Sequence, residues 1–237
     1  RMARRVEQGK MSADDKDEII GRITVGSGYA AASEADIVVE AIFEDMVIKK
    51  KTFAALDEAA PDRTIFASNT TSLSISEMAS ATSRPDKVCG MHFFNPPVVM
   101  KLVEIMPGIG TSQETVGAVS ALAEKLGKKP VHARFDSPAG IGSRVLAGSL
   151  NEAVEVFAQG LASAEDIDAA LKMGCGFPMG PLELIDLIGV DIHLAKTETL
   201  YRELGDQRYR PNFILKKMVR AGHLGRKSGR GFYTYED

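Results

Sequence analysis

The spacing of apolar residues changes its period once along the chain. Up to about residue 136, short apolar runs alternate with amphipathic stretches; beyond it, helical spacing takes over. Ile37 to Ile42 predicts a buried parallel strand. Lys49 to Ala60, with Phe53 and Leu56 on one face, predicts a helix. Thr64 to Ser68 predicts the next strand, and Ser74 with Glu77 forms a candidate capping box opening a short helix. Lys87 to Phe94 and Lys101 to Met106 read as strands. Ser112 opens a helix to about Leu126, stopped by Gly127 and then Pro130, and Val131 to Phe135 reads as the last strand. Repeated β-α units of this kind imply an open, mostly parallel sheet. Past Pro138, helices are expected over Val145 to Phe157, Glu165 to Met173, Leu182 to Leu204 (one long or two abutting) and Asn212 to Ala221, with a strand at Gly231 to Tyr235. The pattern places a domain boundary near residue 137, dividing 1–136 from 137–237.

The first residues follow a different pattern. Arg1 to Gly9 reads as the end of a polar helix and Ser12 as the N-cap of a second, running to about Ile20, so the two make a helical hairpin. Ile23 to Val25 reads as a short strand. Gly26-Ser27-Gly28-Tyr29-Ala30-Ala31 matches a loose G-x-G-x-x-A pattern, but the next strand begins too soon to leave room for a crossover helix. A glycine turn is the better account. The chain opens as the middle of a charged helix, which points to a missing front end.

Composition narrows the class. Of 237 residues, 44% are hydrophobic and 26% charged, enough for one or two cored domains. A net charge of −3 gives no reason to expect a nucleic-acid or membrane partner. No apolar run approaches the roughly 20 residues of a membrane helix, and no apolar segment follows the basic N-terminus as in a secretory signal. Cys89 and Cys175 have no C-x-x-C spacing and read as buried free thiols in a reducing cytoplasm. No histidine pair has metal-ligand spacing, so no metal is expected.

Chemistry-bearing residues collect at predicted strand ends, where α/β sheets bind ligands. Glu44 and Asp45 follow one strand, Asn69 to Ser72 the next, and His92 to Asn95 the third. The Asn69-Thr70-Thr71 triplet offers hydroxyls to position a substrate or cofactor. If Pro96-Pro97 turns the chain, His92 and Glu104 meet across adjacent strands. A carboxylate there fixes the imidazole tautomer, as a base that deprotonates an alcohol requires; a satisfied core pair accounts for the spacing equally well. The basic run Gly222 to Gly231 fits a solvated turn better than a phosphate grip.

Longer motifs decide between these readings. Met91-His92-Phe93-Phe94-Asn95-Pro96 with Met100 to Ile105, Val39 to Glu44, Ala67 to Thr70, Pro178-Met179-Gly180-Pro181 and Gly225 to Tyr233 together resemble the L-3-hydroxyacyl-CoA dehydrogenase family. The resemblance runs from the first residue to about Tyr235. It implies an α/β protein: an incomplete Rossmann-like dinucleotide-binding domain, lacking its first βαβ segment, followed by an all-helical C-terminal domain that closes the cleft and forms a homodimer. It implies His92 as catalytic base with Glu104 as partner, Thr71 where the family has a substrate-contacting serine, and Ser143 where it has a substrate-contacting asparagine. Glu44, Lys49, Asn69, Asn95 and Lys227 match cofactor-contacting positions. The implied reaction interconverts (S)-3-hydroxyacyl-CoA, of 3-hydroxybutyryl length, and 3-ketoacyl-CoA with NAD or NADP in the cytoplasm. Two departures, the missing front segment and Ser143, predict impaired cofactor binding and turnover. The rivals are a dehydrogenase of a free hydroxy acid such as gulonate and a non-catalytic dimerising module.

Overall fold

The structure, a computed structural model, describes residues 2–236. Arg1, expected in a helix, lies outside them. Helices α1 (Met2–Glu7) and α2 (Ala13–Gly21) form the expected hairpin, with Ser12 and Asp15 as a reciprocal capping box. Neither helix buries a residue. Residues 23–25 are not a strand. They find no neighbouring strand to pair with, and Ile23 and Val25 are 64% and 91% exposed. Gly26 to Gly28 leads into a single 3-10 turn, Tyr29–Ala32, so it is a turn and not the N-terminus of a crossover helix.

Five strands form one sheet in the order β1 (Ile37–Glu40), β2 (Ile65–Ser68), β3 (Val88–Phe93), β4 (Leu102–Pro107), β5 (Lys129–His132). All neighbours are parallel except β3 and β4. That one antiparallel pair follows from the short connection through Pro96-Pro97, since a parallel return needs a dozen or more residues. The last strand is earlier than predicted and contains Pro130, which an edge strand tolerates because one side needs no N–H.

Helices α3 (Met46–Ala59), α4 (Ile75–Ala79) and α5 (Gln113–Lys125) cover the sheet. The first begins three residues before its predicted start, because Asp45 caps it by accepting from the Ile48 N–H. Phe53 from α3 meets Phe66 from β2 edge-on at 5.9 Å, both fully buried; each such side chain stabilises the fold by roughly 1.5–3 kcal/mol. At α4 the capping box is half made. Ser74 Oγ accepts from the Glu77 N–H, but its hydroxyl donates to Asp136, tying the interdomain linker to the sheet domain.

Beyond Gly140 the chain is helical: α6 (Gly142–Ala158), α7 (Ala164–Ala169) continuing through a π turn at Ala170–Gly174, α8 (Pro181–Ile188), α9 (Val190–Leu204) and α10 (Phe213–Arg220). Their core holds Leu150, Val154, Leu182, Ile185, Val190 and Leu215. The predicted strand at Gly231 to Tyr235 is absent. An isolated antiparallel bridge pairs Arg230 with Thr234, and buried Asp186 accepts from the Phe232 and Tyr233 N–H groups and from the Tyr235 hydroxyl. Cys89 is buried as expected, whereas Cys175 is exposed, at the C-terminal end of the π turn, between Gly174 and Gly176. Among the described residues, no helix is long and apolar enough to cross a membrane.

Candidate active site

The antiparallel register puts His92 directly opposite Glu104. Directly paired residues project to the same face of a sheet, and His92 Nδ1 lies 3.1 Å from Glu104 Oε2. Both are buried, at 5% and 1% exposure. Burial works to raise the Glu104 pKa. The hydrogen bonds it accepts from His92 and from the Gly142 N–H (2.6 Å) outweigh that and hold it below the ordinary carboxylate value. An ionised carboxylate only accepts, so Nδ1 carries the proton and the Nε2 lone pair faces the other way. There it meets Thr71 Oγ1 at 3.1 Å. The Phe94 ring packs on the imidazole, centroids 4.9 Å apart.

Thr71 is itself held from below. Glu44 Oε1 accepts from the Thr70 hydroxyl (2.7 Å) and from the Thr71 (3.0 Å) and Ser72 (2.9 Å) N–H groups. Asn69 Oδ1 accepts from the Phe93 N–H at 2.8 Å, joining the ends of β2 and β3 and leaving the amide NH2 without a partner among the described residues. The strand-end expectation therefore brings Glu44, Asn69, Thr71, His92 and Glu104 into one cluster. Asn95 lies exposed just beyond it, at the cis Asn95–Pro96 bond.

Three expected residues are placed differently. Lys49 is 1% exposed, its Nζ 2.7 and 2.9 Å from the two Glu40 oxygens and 3.5 Å from Glu44 Oε2, so it underlies the cluster. Lys227 is held by Asp191 in the helical domain, in the C-terminal loop. Ser143 stands in the first turn of α6, half-buried, beside the Gly142 N–H that binds Glu104. Sequence reasoning missed Glu40, which organises Lys49 and accepts from Ser68 Oγ at 2.6 Å, and Gly142. An acid inside the apolar run of β1 was the available signal for Glu40; nothing in the sequence marked Gly142.

The polar groups at the strand ends suit the nicotinamide end of a dinucleotide: an amide, a hydroxyl and a carboxylate around one base. A pyrophosphate cradle of strand, glycine turn and helix N-terminus is not among the described residues. A cleft of about 380 Å³ opens between the domains beside Ser72, walled by Met46 and Ser74 on one side and by Thr199 and Arg202 on the other. A larger cavity, about 960 Å³, lies among α6, α9 and α10, away from the base.

Comparison with known proteins gives this cluster its context. Residues 1–136 match the family model "3-hydroxyacyl-CoA dehydrogenase, NAD binding domain", and residues 141–235 match its "C-terminal domain". The chain is 48% identical to a probable 3-hydroxybutyryl-CoA dehydrogenase of Bacillus subtilis, over 100% of this chain and 82% of the relative. It is 40% identical to the human mitochondrial hydroxyacyl-coenzyme A dehydrogenase, over 98% of this chain and 76% of that one. The crystal structure of (S)-3-hydroxybutyryl-CoA dehydrogenase from Ralstonia eutropha superposes with a TM-score of 0.96 at 44% identity, covering 100% of this chain and 83% of that one. These shares do not assign the unmatched part to either end of the relatives, so they do not support the expected loss of a front segment. With both family models matched and this identity, the chain belongs to the 3-hydroxyacyl-CoA dehydrogenase family.

Proposed function

We propose that the chain is an NAD-dependent oxidoreductase that interconverts (S)-3-hydroxyacyl-CoA, with 3-hydroxybutyryl-CoA as the preferred length, and the 3-ketoacyl thioester. The observation that carries this is the Thr71–His92–Glu104 line, whose Nε2 faces a hydroxyl at hydrogen-bond distance. When NAD is bound, its nicotinamide supplies the hydride acceptor. Asn69, Asn95 and Glu44 would hold the nicotinamide ribose end. His92 takes the proton of the substrate 3-hydroxyl at Nε2, in the position Thr71 Oγ1 marks. Glu104, already accepting from Nδ1–H, stabilises the imidazolium that forms and keeps the ring from turning. In the reverse direction the same imidazolium returns the proton to the carbonyl oxygen. Thr71 orients the substrate oxygen; Ser143 keeps the substrate contact that the family resemblance assigns to its position.

The division into residues 1–136 and 137–237 assigns proton chemistry to the sheet domain and cleft closure to the helical one. We infer a homodimer through the helical domain, which leaves Leu161, Met173 and Phe213 exposed, and a cytoplasmic location. Sedimentation of the purified chain tests the dimer. For the reaction, NADH oxidation is followed with acetoacetyl-CoA and, separately, with free acetoacetate, and NADH formation is followed with gulonate and NAD. Turnover confined to the thioester is expected; turnover confined to a free acid sinks the reading.

A further inference from the structure

Glu40 ends β1 and is 4% exposed, and both of its oxygens are engaged. Oε1 accepts from the Ile42 N–H at 2.6 Å, which turns the chain out of the strand and into the loop that carries Glu44. Oε2 accepts from the Ser68 hydroxyl at 2.6 Å. Ser68 Oγ, fully buried at the end of β2, in turn accepts from the Thr70 N–H at 3.2 Å. One carboxylate thus reaches two strand-end turns, 41–45 after β1 and 69–72 after β2. Glu44 Oε1 joins those turns a second time, by taking the Thr70 hydroxyl and the Thr71 and Ser72 N–H groups. Lys49 Nζ lies 2.7 and 2.9 Å from the Glu40 oxygens but 3.5 Å from Glu44 Oε2, so the Glu40 charge keeps the ammonium from drawing Glu44 inward. A buried ion pair adds little stability by itself, because desolvation offsets much of its attraction. What this one holds is geometry: apart from Lys49, its donors are Ile42 and Ser68, one at the foot of each turn.

We propose that Glu40 is a positioning residue for Thr71: it fixes the two turns whose junction sets the Thr71 hydroxyl against His92 Nε2. This rests on the reading of His92 as the base. Glu40 acts only through Ile42, Ser68 and Glu44. In Glu40→Gln a single carbonyl oxygen replaces two acceptors. Whichever way the amide faces, either the Ile42 N–H or the Ser68 hydroxyl loses its partner. The Lys49 ammonium, no longer opposite a carboxylate there, is drawn to Glu44 Oε2 and pulls that side chain off the Thr70–Ser72 turn. All these changes fall on the turn that carries Thr71, whose hydroxyl then leaves Nε2. One neutral hydrogen bond at the reacting position is displaced, a loss on the order of fivefold to tenfold.

The first readout is amide hydrogen exchange in the whole chain, followed by NMR, with the Gly142 N–H that Glu104 holds as internal reference. In Glu40→Gln the Thr71 and Ser72 amides are expected to exchange at least about tenfold faster relative to Gly142, since they lose a charged acceptor. Ser68→Ala is expected to do the same at Thr70. The second readout is kcat/KM for acetoacetyl-CoA reduction. Glu40→Gln is expected to lower it by about fivefold to tenfold in the parent. In a Thr71→Val background the same change is expected to lower it by less than about twofold, because the hydroxyl through which it acts is already gone. A loss that merely loosens the fold would speed Gly142 exchange as much as Thr71 exchange and would add in full to the Thr71→Val loss. Either result overturns the proposal, as does unchanged exchange at Thr71. If Glu40→Gln does not fold, Ser68→Ala decides alone: unchanged Thr70 exchange, or a kinetic loss that adds in full to that of Thr71→Val, overturns it. The exchange arm needs no turnover, so a parent chain inactive on thioesters contradicts the functional reading alone.

Discussion

Two buried acid–base pairs lie at the strand ends, and only one of them leaves a ring nitrogen facing a hydroxyl. Glu40 and Lys49 form the first, on β1 and α3; Glu104 and His92 form the second, on β4 and β3. Each carboxylate is almost fully buried, and a hydroxyl belongs to each cluster, Ser68 in one and Thr71 in the other. The difference lies in where the free valence points. Both Glu40 oxygens face the Lys49 ammonium, Ser68 donates to Glu40, and the Ile42 N–H closes the shell at 2.6 Å. That cluster is closed on itself. In the second, each ring nitrogen has a separate task, and Nε2 opens toward a hydroxyl that a substrate hydroxyl can replace. Burial of a paired carboxylate is thus no sign of chemistry; the proposed reaction uses the ring nitrogen that opens toward a replaceable hydroxyl.

The largest effect separates the pairs by what they lose. His92→Gln keeps a hydrogen-bonding side chain of similar reach but cannot accept and hold a proton. It is expected to lower kcat for acetoacetyl-CoA reduction by about a hundredfold to ten-thousandfold, the worth of general base catalysis, with the urea midpoint changed little. A fall smaller than about tenfold removes His92 from the mechanism. Lys49→Met does the opposite. It leaves the Glu40 carboxylate buried without its cation, a loss of about 3 kcal/mol in urea unfolding at neutral pH. If Lys49→Met is as stable as the parent but no longer binds NADH, measured by nucleotide fluorescence, then Lys49 reaches the cofactor and the closed-cluster account fails.

These pairs also show what the sequence carried. The β3 and β4 apolar runs and the Pro96-Pro97 turn were sufficient to predict that His92 and Glu104 could meet, because antiparallel neighbours joined by a short connection have few registers available. The residues alone leave core pair and catalytic pair equally open; the longer motifs, through the family resemblance, and the Thr71 contact favour the catalytic reading. Glu40 falls in an apolar strand and in the Val39 to Glu44 motif, but its pairing is not legible, since its partner Lys49 stands on a helix whose rotation periodicity does not fix. Lys227 and Cys175 sit in glycine-rich turns, where side-chain direction depends on tertiary contacts. The strand expected at Gly231 to Tyr235 failed for a similar reason: Asp186, distant in sequence, takes the N–H groups a ladder would have used.

A third buried base extends the comparison to a ring with no acid at all. His193 on α9 is 1% exposed, and its Nε2 has no hydrogen-bond partner among the described residues. Burial, with a smaller contribution from the Lys196 charge, pushes its pKa from 6.5 down to about 4. The unfolded chain therefore binds this proton at a higher pH than the folded one. Stability from His193 is full above about pH 6.5 and is lost as pH falls toward 4, a linkage of about 3 kcal/mol. Glu104, with its depressed value, acts in a lower window: its contribution is present above the ordinary carboxylate range and is lost below it. Urea unfolding at pH 6.5 and 4.5 should show the His193 loss in the parent and a flatter profile in His193→Leu. Equal slopes would mean the ring has a partner and belongs with His92.

The smallest effect tests the open end of the reactive pair. Thr71 contributes one hydroxyl to Nε2, while its backbone N–H is held by Glu44 whatever the side chain. Thr71→Ser keeps the hydroxyl and gives up only a methyl group. Thr71→Val keeps the shape and gives up the hydroxyl, leaving Nε2 buried without a donor in the free enzyme. A neutral hydrogen bond contributes about 1 kcal/mol, so Thr71→Val is expected to lower kcat/KM by about fivefold to tenfold, and Thr71→Ser by less than about threefold. The sign of the stability change carries equal weight. Losing a donor to a buried nitrogen destabilises the folded chain, so Thr71→Val should unfold at lower urea than Thr71→Ser. If valine were instead the more stable variant with unchanged kcat/KM, the Nε2 lone pair would be solvated rather than directed. The distinction between a closed and an open buried pair would then not rest on Thr71.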